Sequence, residues 1–88
     1  MNIEIEVGRK FVKEYQKLPE RIKGLAKQKE IIFRENIFDP RLNAHKLHGK
    51  DKILWAFSII GKYRIKFVFL TDKKILFLSI GTHNIYNR

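Results

Sequence analysis

The sequence predicts an α+β domain: a short N-terminal strand and a helical hairpin, then a three-stranded antiparallel meander, forming one sheet with the helices on one face. Three observations carry the prediction. Apolar residues recur at helical spacing after the first few residues and at a spacing of two in the second half. The change of period falls at "ENIFDPR", where Asp39 and Pro40 force an extended turn. The apolar runs that follow are broken only by "GK" and "TDK", lengths that suit turns between antiparallel neighbours. Eighty-eight residues support one domain, residues 1–88, because a second core would have too little to bury.

The elements follow in order. "NIEIEV" alternates charged residues with Ile3, Ile5 and Val7, as a half-buried edge strand does. In "RKFVKEYQKL", Phe11, Tyr15 and Leu18 lie at i, i+4 and i+7 with lysines between them, an amphipathic helix that Pro19 stops. Proline also suits the start of a helix, so a second one begins at once, with Ile22, Leu25, Ile32 and Phe33 as its apolar stripe and Gly24 as its weak point. "ILWAFSII", "YRIKFVFL" and "KILFLSIG" are strands, rich in Ile, Phe and other strand formers. The middle one sets Tyr63, Ile65, Phe67 and Phe69 on one face, and Arg64, Lys66, Val68 and Leu70 on the other.

Charge narrows the partners. The net charge is +10 and unevenly spread: residues 1–39 hold nine basic and seven acidic side chains, residues 40–88 ten basic and two acidic. Such a field gathers polyanions, so nucleic acid, a ribosome, an acidic membrane surface or an acidic protein are the candidate partners. With no cysteine there is neither a disulfide framework nor a thiolate zinc site, which fits a reducing compartment. The opening residues hold no signal-type apolar segment, and no apolar run approaches the roughly 20 residues of a membrane helix. A cytoplasmic location is the expectation.

The chemistry-bearing residues gather in connecting segments. "NAHKLHGKDK" sets His45 and His48 among Lys46, Lys50 and Lys52 directly before the sheet, and "SIGTHNIYNR" sets His83 and Tyr86 beyond the last strand beside Arg88. Site residues concentrate in such loops when a rigid sheet holds them, although a lone histidine is commonly a surface residue. Arg64 and Lys66 carry cations on the sheet face at the end nearest the histidine loop, and Lys62 lies in the turn before them. Three histidines without an acidic companion, in a field that repels cations, make a poor metal set, so no metal and no cofactor is expected.

"AHKLHG", "YRIKFVF" and "IGTHNIY", in this order after a short strand and a helical hairpin, resemble the RelE/ParE superfamily of toxins from type II toxin–antitoxin modules. The similarity covers almost the whole chain and is greatest to the YafQ-, YoeB- and RelE-like mRNA interferases. It implies a RelE-like fold and a ribosome-dependent endoribonuclease that inhibits translation. It also implies a cognate antitoxin, acidic and partly disordered, with the ribosome and mRNA as the other partners. By the same resemblance His45, Arg64, His83 and Tyr86 are the catalytic set. Lys46, His48, Lys50, Lys52, Lys62, Lys66 and Arg88 would contact RNA. YafQ-like members carry a further His and Asp where this chain has Ser58, Lys62 or their neighbours, so which histidine is base and which is acid stays open.

These residue types suit the reaction. Attack of a 2′-OH on the adjacent phosphorus needs a base, a cation for the phosphorane and an acid for the departing 5′-oxygen. Histidine, with an ordinary pKa of about 6.5, serves as either base or acid, and arginine presents a fork matched to two phosphate oxygens. Two other readings share the composition. A ParE-like gyrase poison would use the same fold without a nuclease site, and a basic nucleic-acid-binding module would be passive.

Overall fold

The computed structural model describes residues 3–47 and 53–82. The elements run β1 (Glu4–Val7), α1 (Arg9–Gln16), α2 (Glu20–Glu35), a 3₁₀ turn at Pro40–Leu42, then β2 (His45–Lys46), β3 (Trp55–Ile60), β4 (Tyr63–Thr71) and β5 (Lys74–Gly81). The strands form one sheet in the order β1-β5-β4-β3-β2. The expected meander is β3-β4-β5, antiparallel throughout. β1 lies at an edge, as its charged alternation requires, and runs parallel to β5. The two-residue β2, in the segment expected as a loop, extends the opposite edge by pairing with β3.

Helix α1 begins after Gly8 and turns Phe11 inward, with Tyr15 and Leu18 half-buried behind it. Pro19 stands immediately before α2 as its N-cap, with an extended ψ of 148°, so its fixed ring directs the chain into the helix without occupying the first turn. α2 buries Ile22, Ala26 and Phe33, and Leu25 and Ile32 pack at the margin. Gly24 faces open space, so its cost is the ordinary helical one of about 1 kcal/mol. Both helices lie on one face, where Phe33 reaches Phe57, Phe67 and Phe77 with ring centroids 4.8, 5.1 and 5.5 Å away. Ile65, Ile75, Ile80 and Leu42 complete the cluster.

Two of the sheet's local irregularities bear on its open face. Gly61 opens the two-residue turn between β3 and β4 at φ +55°, a conformation that favours glycine at this position. In β5 the pairing with β4 shifts: Phe77 opposes Phe67, but Ser79 opposes Lys66. Leu78 is therefore the extra residue of a β-bulge, and the strand changes face across it. Ile80 joins the core beside Ile65, while Ser79 passes to the opposite side. No described helix is long and apolar enough to cross a membrane.

Candidate active site

The segment leading to His45 is built for placement. Asp39 accepts from the Arg41 backbone N–H at 2.9 Å, capping the 3₁₀ turn, and from Arg41 Nε and Nη2 at 3.0 and 2.9 Å. The side-chain bonds from Arg41, then its backbone N–H, hold the Asp39 carboxyl down to about 2, and the bond to Asp39, then its charge, pushes the guanidinium up. Leu42, fully buried, anchors the turn in the core. Asn43 then takes a left-handed φ of 50°, which its short polar side chain tolerates, and the chain reverses into β2. The Asn43 carbonyl lies 3.0 Å from His45 Nδ1. A carbonyl only accepts, so Nδ1 carries the hydrogen and the neutral ring keeps its lone pair on Nε2.

Register places that ring. Directly opposed residues of neighbouring strands share a face, with Cβ atoms about 5 Å apart. His45 opposes Ala56, Ala56 opposes Lys66, and Lys66 opposes Ser79: one row across four strands. The adjacent row is Ser58, Arg64 and Gly81. Both rows lie on the face away from the helices. Arg64 and Lys66, about 7 Å apart along the central strand, are thus flanked on both sides by small residues. Ala56 and Ser58 lie on β3, Ser79 and Gly81 on β5. Bulky neighbours would fill the space that these four leave over the cations.

Arg64 is held at one end only. Its Nη1 donates to the carbonyls of Gly61 at 2.6 Å and Tyr63 at 3.2 Å, so the β3–β4 turn braces the guanidinium. Among the described residues Nε and Nη2 have no partner, which leaves that edge for an anion. The far end of β5 is braced from the helical layer. β1 stops at Val7, so β5 lacks a strand neighbour beyond Phe77 on that side, and Glu14 of α1 accepts the Ile80 N–H at 3.1 Å instead. Among the described residues, the acidic groups of β1 on this face are engaged elsewhere. Glu4 and Glu6 lie along β1 and pair with Lys74 at 4.0 and 3.2 Å, and the Glu6 hydrogen bond, then its charge, raises the pKa of that lysine.

The structure brings together three of the residues singled out by sequence: His45, Arg64 and Lys66. Lys62 lies in the turn beside Arg64, whereas Lys46 opposes Trp55 and so faces the helix side at the sheet's edge. His48, Lys50, Lys52, His83, Tyr86 and Arg88 lie outside the described residues. That Ala56, Ser79 and Gly81 form a small floor was not read from the sequence. Small residues at alternate positions in "WAFS" and "LSIG" were the available signal. No group of three or more acidic or histidine side chains able to hold a metal occurs among the described residues. A cleft of about 210 Å³ between the helices and the sheet, lined by Phe11, Tyr15, Ala26, Lys27, Glu30, Ile65 and Phe77, is apolar. Its one lysine, Lys27, shares the lining with Glu30, so the cleft offers no net positive charge to a phosphodiester.

A helical hairpin on one face of a five-stranded mixed sheet is the architecture of the RelE-like toxins. The chain has that fold. It superposes on RelE of an archaeal RelE–RelB complex from Pyrococcus horikoshii with a TM-score of 0.72 and 22% identity, over 93% of this chain and 96% of that one. YafQ from Escherichia coli gives 0.77 and 20%, over 97% and 98%. The YoeB dimer from Staphylococcus aureus gives 0.76 and 14%, over 94% and 99%. No protein-family description and no curated protein sequence matches the chain.

Proposed function

We propose that the chain is the toxin of a toxin–antitoxin pair and a ribosome-dependent endoribonuclease of mRNA. The observation that carries the reading is the pair of rows that sets His45, Lys66 and Arg64 over small residues on the helix-free face. Arg64 and Lys66 attract the scissile phosphate and stabilise the charge that builds on its oxygens. His45 Nε2 takes the proton of the neighbouring 2′-OH as O2′ bonds to phosphorus. The P–O5′ bond breaks, O5′ receives a proton from the acid, and the products are a 2′,3′-cyclic phosphate and a 5′-hydroxyl. His83, two residues after the Gly81 that opposes Arg64, is assigned as the acid, and Tyr86 as a group that stacks on a base. His48, Lys50, Lys52, Lys62 and Arg88 hold the RNA backbone, and Lys46, on the helix side, contacts RNA that passes around the sheet's edge. The cations already in place supply the charge that a metal ion would bring, and the reaction is assigned as metal-independent.

The neutralising partner is an acidic, partly disordered antitoxin that masks Arg64; two of the similar structures, DinJ–YafQ and RelE–RelB, are toxin–antitoxin complexes. Toxin and antitoxin would meet in the cytoplasm, where the ribosome supplies the in-line geometry that so small a domain lacks. The test is a programmed ribosome carrying an mRNA with one 2′-deoxy sugar just 5′ of the cut. Cleavage there should vanish. Undiminished cutting of the deoxy message, or a divalent-metal requirement in the chemical step, would replace 2′-OH attack with hydrolysis by activated water.

A further inference from the structure

Ser79 is the one described buried side chain whose polar atom has no hydrogen-bond partner, and it is only 1% exposed. It stands beside Lys66 in the row that begins at His45. An unpaired buried hydroxyl costs free energy, and alanine, which serves as floor on the other side of Lys66 at position 56, would avoid the cost. Ser58, on the same floor, is half-exposed and can be solvated. The bulge at Leu78 reinforces the point. Without it Ser79 would share the face of Phe77 and point into the aromatic core; with it the hydroxyl is carried to the cationic side. A group that is costly while the site is empty, and aimed at it by a local irregularity, is suited to a ligand that arrives later.

We infer that Ser79 is a phosphate ligand of this site: its Oγ–H donates to a non-bridging oxygen of the phosphodiester drawn in by Lys66 and Arg64. This rests on the reading of the open face as a phosphodiester site. Ser79 opposes Lys66 across the β4–β5 pair, so a phosphate held by Lys66 and Arg64 would bring the hydroxyl the acceptor that it lacks. Three donors then surround one phosphate from β4 and β5, and the charge-assisted bond from the hydroxyl strengthens as negative charge accumulates on the phosphorane.

The inference predicts that stability and activity separate at this position. Ser79→Ala should keep or raise the thermal midpoint, since it deletes an unsatisfied polar group, yet lower single-turnover cleavage on programmed ribosomes by about 10- to 100-fold. Ser79→Cys keeps the volume with a far weaker donor and should follow alanine in rate. Ser79→Thr keeps the hydroxyl at the expense of a crowded methyl, so it should lose stability but retain most of the rate. A second arm uses the free protein and a short RNA oligonucleotide with a 2′-deoxy sugar at the cut. Its affinity, by fluorescence anisotropy at low salt, should fall about 10-fold in Ser79→Ala. If the wild type cuts and Ser79→Ala cuts equally fast, the contact is overturned while the nuclease stands. Should the wild type cut no message at all, the nuclease reading fails and the oligonucleotide decides: equal affinity removes Ser79 from the site. A rate that follows the thermal midpoint through all three variants means a structural role only and also overturns the inference.

Discussion

The two faces of the sheet are made from the same strands by opposite rules. On the helix side large rings meet: Phe57, Phe67 and Phe77 come from three neighbouring strands and Phe33 from α2, with centroids about 5–6 Å apart. On the other side, at one end of the sheet, the charged Arg64 and Lys66 have small residues as their directly opposed neighbours on both adjoining strands. β4 contributes to both through adjacent residues, Ile65 and Phe67 inward, Arg64 and Lys66 outward. A period of two thus divides the molecule into a face that supplies stability and a face whose polar groups contribute little to it. Changes to one should be nearly silent on the other.

The strongest attempt to break that division is Phe33→Ala. The ring is fully buried at the centre of the aromatic cluster, so truncation should remove about 3–5 kcal/mol, a large part of a small domain's stability, in urea unfolding. A loss below about 1 kcal/mol would show that the core collapses around the gap, and that the open face carries more of the stability than its composition suggests. Next comes Arg64→Ala, expected to reduce cleavage about 100- to 1000-fold while the unfolding free energy stays within about 0.5 kcal/mol. If stability falls with activity, the bond to Gly61 is a structural tie for the hairpin and the faces are not separable there. The smallest effect comes from a residue at the turn before the sheet. Asp39, held at about 2 by its hydrogen bonds to Arg41, binds a proton more readily in the unfolded chain, near 3.8. Its stabilising contribution is therefore complete above the unfolded value and disappears as pH falls toward the folded one. Asp39→Asn should remove that part of the acid limb and leave the Phe33 core untouched. A carboxyl of Asp39 that titrates normally by NMR would mean that the turn before His45 is open in solution.

Where neighbours in sequence decide the structure, the chain could be read directly. The stripe Phe11, Tyr15, Leu18 and the two faces of β4 follow from spacing alone, and both are as expected. β2 was missed because two residues carry no period; it exists only by pairing with β3. The parallel neighbour of β1 was equally hidden, since pairing across 70 residues leaves no local trace. β5 is the most instructive. Strict alternation would set Phe77, Ser79 and Gly81 together, yet the bulge, a consequence of register with β4, parts Phe77 from the other two. The placing of Arg64 and Lys66 on one face of β4 could be read from residue type and spacing. Their floor could not, because Ser79 reaches it only through that shift.

Because β1 has β5 as its strand neighbour, and α1 packs on β5 as well, the first third of the chain depends on its last strand. Contacts of such long sequence separation form slowly, since the loop between them must close before they contribute. During synthesis β1 and α1 emerge many residues ahead of β5, with their apolar sides unpaired, and the row from His45 to Ser79 cannot exist until β5 is made. The order of the strands delays the appearance of the site until almost all of the described chain has been made.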